Sequence, residues 1–363
     1  MQTSLTATSG LERRLEIAVP AHTITGEIEH RLKELSRTAR LKGFRPGKAP
    51  LTVIRQQYGD QVRAEVVDSV VRKSFADAVR QENLNPAADP VIEPLTIEPG
   101  SDLKYAAVFE VLPEIKLKVG PSITIERPTA VVTDADLETM IQSMRKQLAR
   151  RNAPPPAEGA PAVADDDLPL PEVDEAFCRA FGVHEGGPEL LRSEVRSNME
   201  RELSDVVRKQ VSVQLLAGLL KENPIDVPRA LVDEQIQQLQ LDVARRTGAK
   251  DISQLPPREQ FEAPARRRVA LGLLMSEILR TAEIKVDRAR VQARLEEIAN
   301  SHPNPDEVRR AYLQSKDAMR QIESSVLEDQ AFDWVLGQAT VTDKPTTFQK
   351  LTGFGEIAKS EST

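Results

Sequence analysis

The residues best suited to chemistry lie in the stretch LKGFRPGKAP, residues 41–50, where one phenylalanine, Phe44, stands between two glycines. Glycine and proline favour turns, so this stretch is predicted to be a surface loop. Burying a phenylalanine contributes roughly 1.5–3 kcal/mol, which an exposed Phe44 forgoes until a partner covers it. Arg45 and Lys48 add positive charge beside it. The chemistry indicated is that of binding.

Positive charge is concentrated around this loop. Between Arg31 and Lys48 there are seven cations and one acid, Glu34, although the chain of 363 residues has a net charge of −7. This asymmetry is typical of a protein that docks one basic tip on an anionic surface. Two plainer interpretations remain open: the cations form a solvated helix face, or Phe44 folds back onto its own domain. A Phe–Arg pair on an exposed turn is otherwise typical of a binding hot spot.

The sequence has no recognisable motif for catalysis or for a cofactor. It contains neither a GxxxxGK[ST] phosphate loop nor a GxGxxG fingerprint. Cys178 lies in the helical pattern EAFCRAF without the signature of a nucleophile, so we interpret it as a buried or idle thiol. The four histidines are far apart and do not have metal-ligand spacing: His22, His30, His184 and His302. We therefore predict no catalytic residues, no cofactor and no metal.

Cysteine content and hydropathy predict a soluble, cytoplasmic protein without a membrane partner. A single cysteine cannot form an internal disulfide, which favours a reducing compartment. The start of the sequence, MQTSLTATSG, lacks the basic and apolar regions of a signal peptide. No uninterrupted apolar run approaches the ~18 residues that a membrane span requires.

The first ~115 residues are predicted to be α+β, in the order strand, helix, loop, helix, strand, strand. LERRLEIAVP alternates apolar and polar residues as a half-buried strand does, and residues 21–39 have a helical period. A long helix follows the loop. PVIEPLTIEP and LKYAAVFEVLP then read as two closing strands.

Residues 116–152 are predicted to be an extended strand followed by a linking helix that starts at Thr133 or Asp134. Between Ala153 and Glu175 the sequence has seven acids, six prolines and no Lys or Arg. That composition is typical of an extended, mobile linker.

From about Glu172 the chain is predicted to be helical almost throughout, ending in a polar tail. Pro188 and Pro228 mark helix starts, Gly248 marks a helix end, and Pro264 marks a start or a kink. Later helices are expected at about 286–300, 305–315 and 317–338. Helices of this kind form either a compact bundle or paired arms that project.

The loop GFRPGKAP in this setting resembles the ribosome-binding signature of bacterial trigger factor. The likeness extends to LERRLEIAVP, to QYGDQVRAEVVDSVVRKSFADAV, to VFEVLPEIKL and to TDADLETMIQSMRKQ in the first half of the chain. In the second half FGVHEGGPELLRSEVRSNMERELSDVVRKQV, IDVPRALVDEQI, RRRVALGLLMSEILR and TTFQKL are similar to the helical domain and tail of that family. The ordered segments cover nearly the whole chain.

The resemblance implies a cytoplasmic chaperone that docks beside the peptide exit tunnel and shields nascent chains. Its partners would be ribosomal protein and RNA near the tunnel and unfolded or nascent polypeptides, and a homodimer of the free protein is consistent with it. Phe44 and Arg45 would be the central docking contacts, with Gly43, Gly47 and Lys48 shaping and charging the loop. Many family members have a cation at the position of Pro46, and this departure leaves one contact open and stiffens the turn.

A larger departure concerns the prolyl isomerase domain of the FKBP type that the family usually inserts after the linking helix. Residues 153–168 occupy that place, and so short a segment is far below the ~40 residues that a small core requires. We therefore predict that the domain is absent and that this chain is not an enzyme.

The predicted organisation is a ribosome-binding α+β domain at 1–115, a strand and linking helix at 116–152, a linker at 153–171, and a mostly helical, elongated substrate-binding domain with arms at 172–363. The predicted function is a ribosome-associated chaperone without isomerase activity. The alternative is a nucleic-acid-binding regulator that uses the basic loop. The acidic net charge and the lack of a recognition motif argue against that alternative.

Overall fold

The computed structural model describes residues 2–39, 41, 44, 50–96, 101–153, 169–248, 251 and 255–354. The chain divides into two compact units. The first combines Met1–Lys116 with Pro224–Glu277, and the second combines Leu117–Asn223 with Ile278–Thr363. This grouping does not test the four-part organisation predicted from the sequence, which stays a prediction.

The first unit begins with a four-stranded antiparallel sheet and a helical hairpin. The sheet has the strand order β1-β2-β4-β3. Its elements are β1 (Gln2–Ser9), β2 (Glu12–Val19), α1 (Ala21–Thr38), α2 (Leu51–Gln81), β3 (Val91–Thr96) and β4 (Leu103–Glu110). The predicted α+β character of this part of the chain is confirmed.

The alternation of apolar and polar residues in β2 places the apolar side chains in the core of this sheet. Leu15 and Ile17 are buried and lie opposite Ala107 and Tyr105 of β4, so these side chains share one face. The hydroxyl groups of Tyr105 and Ser74 share a buried hydrogen bond of 2.7 Å, which joins the sheet to α2. Burial raises the pKa of the Tyr105 phenol. The hairpin is thus fixed to the sheet by apolar packing and a paired hydroxyl.

The first unit also holds α6 (Arg229–Thr247) and most of α7 (Glu259–Thr281). Gly248 ends α6 in the left-handed region with φ of 70°, as the sequence predicts. Of the two alternatives predicted at Pro264, the helix start is wrong, because α7 begins at Glu259 and contains Pro264, and the kink stays a prediction. Pro264 lies beyond the first four residues of α7, whose N–H groups have no partner within the helix, so its missing N–H removes one intrahelical hydrogen bond that the rest of this 23-residue helix compensates.

The second unit is mostly helical and contains a two-stranded parallel sheet. Its elements are β5 (Thr124–Thr129), α3 (Asp134–Asn152), α4 (Glu175–Ala180), α5 (Gly187–Glu222), α8 (Arg288–Asn300), α9 (Pro305–Gln314), α10 (Lys316–Gln338), β6 (Thr340–Pro345) and α11 (Phe348–Thr352). Thr133 is the N-cap of α3 and forms a capping box with Asp136. Met199 of α5 and Phe348 of α11 lie in the largest core cluster of this unit.

Two strands are missing from the sequence-based prediction. β1 is an exposed edge strand, so its sequence QTSLTATS has no apolar alternation to reveal it. β6 lies in the segment that we predicted as a polar tail, and it pairs in parallel with β5 from the other end of the chain. Partners so distant in sequence leave no local signal.

Candidate functional site

The tip of the hairpin formed by α1 and α2 is built around a buried leucine. Leu41 is 8% exposed and packs in a cluster with Leu32 of α1 and Ile54 of α2. Pro50 is the N-cap of α2, and its carbonyl accepts hydrogen bonds from the backbone N–H groups of Val53 and Ile54 at 3.0 and 3.1 Å. Leu41 therefore anchors the connection between the two helices.

Phe44 differs from this anchor because its side chain is 40% exposed. Its backbone N–H donates to the carbonyl of Leu41 at 3.1 Å, which fixes its backbone next to the buried residue. The remaining predicted site residues lie outside the described residues: Gly43, Arg45, Pro46, Gly47 and Lys48. Of the predicted site, the structure thus places Phe44 alone, at the tip and partly open to solvent.

The cations of the hairpin fall into two groups. Arg31 forms ion pairs with Glu34 at 3.0 Å and with Glu65 at 4.0 Å, and Arg55 pairs with Glu29 at 3.7 Å. Lys33 and Arg37 of α1 are exposed. Within the described part of the chain neither forms a side-chain ion pair or hydrogen bond.

A groove of about 510 Å³ lies in the second unit between β5, α5 and α10. Its floor is mostly apolar, and several charged residues stand at its rim. The lining consists of Arg127, Pro128, Thr129, Ala130, Glu200, Leu203, Ser204, Val207, Arg208, Val211, Phe332, Asp333 and Leu336. The three elements are far apart in sequence, so the groove could not be found before the fold.

Most charges at the rim of this groove are paired with residues outside it. Arg127 donates to Asp343 at 2.7 Å, and this hydrogen bond lowers the pKa of the Asp343 carboxyl. Arg208 donates to Asp329 at 2.6 Å. Asp333 accepts from Arg290 at 2.7 Å. The paired rim leaves the apolar floor as the main feature that a ligand would meet.

The described residues show no group suited to catalysis or to metal binding. No cluster of three or more His, Cys, Asp or Glu side chains could hold a metal ion in this part of the chain. Cys178 is buried, and burial together with the nearby Asp174 raises the pKa of its thiol. A raised pKa disfavours the thiolate, the form that reacts as a nucleophile. Among these residues no helix is long and apolar enough to cross a bilayer.

Comparison with known proteins assigns both halves of the chain. Residues 1–144 match the family model described as bacterial trigger factor protein, and residues 189–337 match the model for the trigger factor C-terminus. Trigger factor of Tolumonas auensis is 36% identical over 429 residues, covering 97% of this chain and 98% of the relative. Trigger factor of Pseudoalteromonas atlantica is 35% identical over 431 residues, covering 97% and 99%.

A solved structure supports the same fold. It covers 93% of this chain and all of its own with a TM-score of 0.57 at 14% identity, and is described as showing promiscuous substrate recognition in folding and assembly activities of the trigger factor chaperone. An α+β domain followed by a helical domain with these matches defines a molecular chaperone. The chain belongs to the trigger factor family.

The alignments also locate what this member lacks. They run over more positions than the 363 residues of the chain, and the two family models leave 145–188 unmatched. The region of the prolyl isomerase domain is absent.

Proposed function

We propose that this protein is a cytoplasmic, ribosome-associated chaperone that docks near the peptide exit tunnel through residues 43–48 and shields nascent polypeptides. The observation that carries the docking site is the contrast between Leu41, which is buried, and Phe44, which is 40% exposed three residues later. An exposed phenylalanine whose backbone is held next to a buried anchor is suited to insert into a partner. Because the chain belongs to the trigger factor family, we infer that this partner is the ribosome.

The docking contact is small, so we infer weak and rapidly reversible binding. One loop buries much less than the ~1,600 Å² of a standard stable interface, which favours a Kd in the micromolar range. Weak docking and weak contacts with a client combine into useful affinity because each holds the other at high local concentration.

The groove between β5, α5 and α10 is the proposed site for apolar segments of unfolded polypeptides. Leu203, Val207 and Phe332 provide an apolar surface within its 510 Å³, while the rim pairs keep nearby charges occupied. A small apolar surface bordered by polar residues allows a promiscuous grip and limits self-association.

We infer that the four predicted segments, 1–115, 116–152, 153–171 and 172–363, act as docking domain, connection, linker and client-binding domain. The absent isomerase region leaves the chaperone without that catalytic activity. A short proline tetrapeptide tests this directly, because so small a substrate gains nothing from client binding. We expect its cis–trans rate to equal the uncatalysed rate.

Co-sedimentation with purified ribosomes tests the docking site. Phe44→Ala is expected to lower binding at least tenfold and to leave the thermal transition nearly unchanged, because its side chain is partly exposed. Leu313→Ala, which removes a leucine that is 61% exposed on α9, is the matched control and should bind as wild type does. Undiminished binding of Phe44→Ala would refute the proposed docking site.

The variant Leu41→Ala should lose stability, in contrast to Phe44→Ala. The Leu41 side chain is buried, so truncation should cost about 2–5 kcal/mol of stability. A comparable loss of stability in Phe44→Ala would identify Phe44 as a core residue and contradict its role in docking.

Binding of a fluorescent unfolded polypeptide tests the groove. Ser204 lines the groove and is exposed, so Ser204→Lys should fill it with a long charged side chain without removing core atoms. Gln210→Lys adds the same charge to an exposed position of α5 outside the groove. We expect weaker client binding for Ser204→Lys alone, and equal effects of both variants would contradict the assignment.

A further inference from the structure

One face of α1 carries positive charge and no acid. Residues 26, 30, 33 and 37 follow each other at spacings of four, three and four, so they form one stripe along the helix. These residues are Gly26, His30, Lys33 and Arg37, and all four are exposed. Leu32, which packs into the core below, lies on the opposite side of the helix.

Ion pairs distinguish Lys33 and Arg37 from Arg31 and Arg55. Glu34, Glu65 and Glu29 neutralise Arg31 and Arg55, whose charges are thereby used within the hairpin. In the described residues Lys33 and Arg37 have no such acid, although acids are available on both helices. Their charges are thus the ones that α1 offers to a partner.

We propose that Lys33 and Arg37 bind the phosphate backbone of RNA and form a second docking surface on the hairpin that carries Phe44. This inference rests on the proposed docking to the ribosome. The two residues are one helical turn apart, with about 5–6 Å between their Cβ atoms, and long side chains from such positions reach neighbouring phosphates of one strand. The surface would contribute affinity and orientation without reading a base sequence.

The composition of the stripe favours RNA over an acidic protein surface. Protein interfaces have an apolar or aromatic centre and are depleted in lysine, whereas phosphate contacts come mainly from lysine and arginine. The stripe contains a glycine, a histidine and two free cations, and it has no apolar side chain. Contact with phosphate therefore fits it better.

The salt dependence of ribosome binding tests this assignment. Lys33→Gln combined with Arg37→Gln should reduce the slope of log K against log salt concentration by about 1.4–1.8, because each lost phosphate contact accounts for about 0.7–0.9. At 0.1 M salt this corresponds to roughly 30-fold weaker binding. Arg31→Gln combined with Arg55→Gln removes the same total charge from the hairpin, and its slope should stay close to that of wild type. Equal slopes for wild type and Lys33→Gln/Arg37→Gln would overturn the proposal.

The class of partner is tested by crosslinking on the ribosome. A benzophenone amino acid at position 30 leaves Lys33 and Arg37 in place, and we expect it to crosslink to ribosomal RNA in a product sensitive to ribonuclease. Crosslinking to ribosomal protein alone would overturn the proposal in favour of an acidic protein surface. Failure of the docking loop is recognised separately, since it would leave Phe44→Ala fully bound whatever the stripe does.

Discussion

The side-chain carboxamide of Gln214 in α5 forms two hydrogen bonds with the backbone of Glu126 in β5. Its Nε2 donates to the Glu126 carbonyl at 2.8 Å, and its Oε1 accepts from the Glu126 N–H at 2.8 Å. On the side of β5 that faces β6, the carbonyls of Ile123 and Thr129 accept from the backbone N–H groups of Thr340 and Thr346. The backbone N–H and C=O of Glu126 bond to Gln214 and not to β6, so the carboxamide takes the place of the next strand and helps to close one edge of the small sheet.

Replacing Gln214 should loosen this edge. Gln214→Ala removes two hydrogen bonds at a partly exposed site, which we expect to cost about 1–2 kcal/mol and to speed exchange of the Glu126 amide. Hydrogen exchange of a peptide that spans β5 measures this effect. Gln238→Ala, at an exposed position of α6, is the control and should be neutral. Unchanged exchange at Glu126 would mean that the paired carboxamide contributes nothing.

Asn223, the C-cap residue of α5, binds the backbone of Lys118 in the same way but is buried. Its Oδ1 accepts from the Lys118 N–H at 2.7 Å, and its Nδ2 donates to the carbonyls of Lys118 and Leu219, each at 2.9 Å. Together Asn223 and Gln214 hold the extended segment before α3 along α5.

Asn223→Ala should therefore be more damaging than Gln214→Ala. It removes three hydrogen bonds of a buried side chain and leaves the N–H and the carbonyl of Lys118 without partners, and each unsatisfied group costs about 1–3 kcal/mol where water cannot replace the bond. The Leu219 carbonyl keeps the hydrogen bond from the backbone N–H of residue 223. We expect a loss of about 2–4 kcal/mol in chemical denaturation of the second unit. If the two variants proved equally destabilising, burial would not be the factor that separates them.

The sequence predicted those features of the fold that depend on neighbouring residues. The alternation of β2 and the capping residue Thr133 are local signals, and the glycines next to Phe44 in the sequence predicted that its side chain is exposed. β6 and the pairing of Gln214 with Glu126 depend on contacts between distant parts of the chain. A polar residue on a helix gives no sign that it will complete a sheet.

The candidate sites also include features that the sequence predicts and features that only the structure reveals. The exposure of Phe44 was predicted because a phenylalanine among glycines, prolines and cations is unusual, and this is visible in the sequence, whereas its role in docking stays a prediction. The sequence could not predict which cations of the hairpin lack an ion pair. Lys33 and Arg37 look equivalent to Arg31 and Arg55 until the acidic partners of the two latter residues are located in the structure. The groove of the second unit needed the fold itself.

Gly218 permits the close approach of α5 to the segment that precedes β5. A Cβ atom at this position would lie 2.9 Å from Cγ2 of Ile123, which is 1% exposed. We expect Gly218→Ala to destabilise the protein by about 1–3 kcal/mol, although alanine favours helices by about 0.8–1.0 kcal/mol over glycine. Gly272→Ala is the control, because a Cβ there meets nothing within 4 Å and should be stabilising. Adding Ile123→Ala to Gly218→Ala should give less than additive loss.

Arg309 of α9 and Glu296 of α8 join two helices of the second unit by hydrogen bonds of 2.9 and 2.6 Å. These bonds lower the pKa of the Glu296 carboxyl below its ordinary value. Because the pKa is lower in the folded state, the pair stabilises the fold above the unfolded pKa, and this contribution is lost as the pH falls through the folded pKa. The relevant window therefore lies below about pH 4.3, the ordinary value for glutamate.

NMR titration of the side-chain carboxyl carbons tests the pair. The Glu296 carboxyl of the wild type should titrate below its ordinary value, and Arg309→Gln should move its pKa upward by removing the charged donor. Asp306 also accepts a hydrogen bond from Arg309, so the variant Asp306→Asn measures the effect of Asp306 on the Glu296 pKa. It removes a neighbouring negative charge that raises the Glu296 pKa, and should therefore lower that pKa further. A Glu296 pKa that is the same in wild type and Arg309→Gln would show that the hydrogen bonds do not persist in solution.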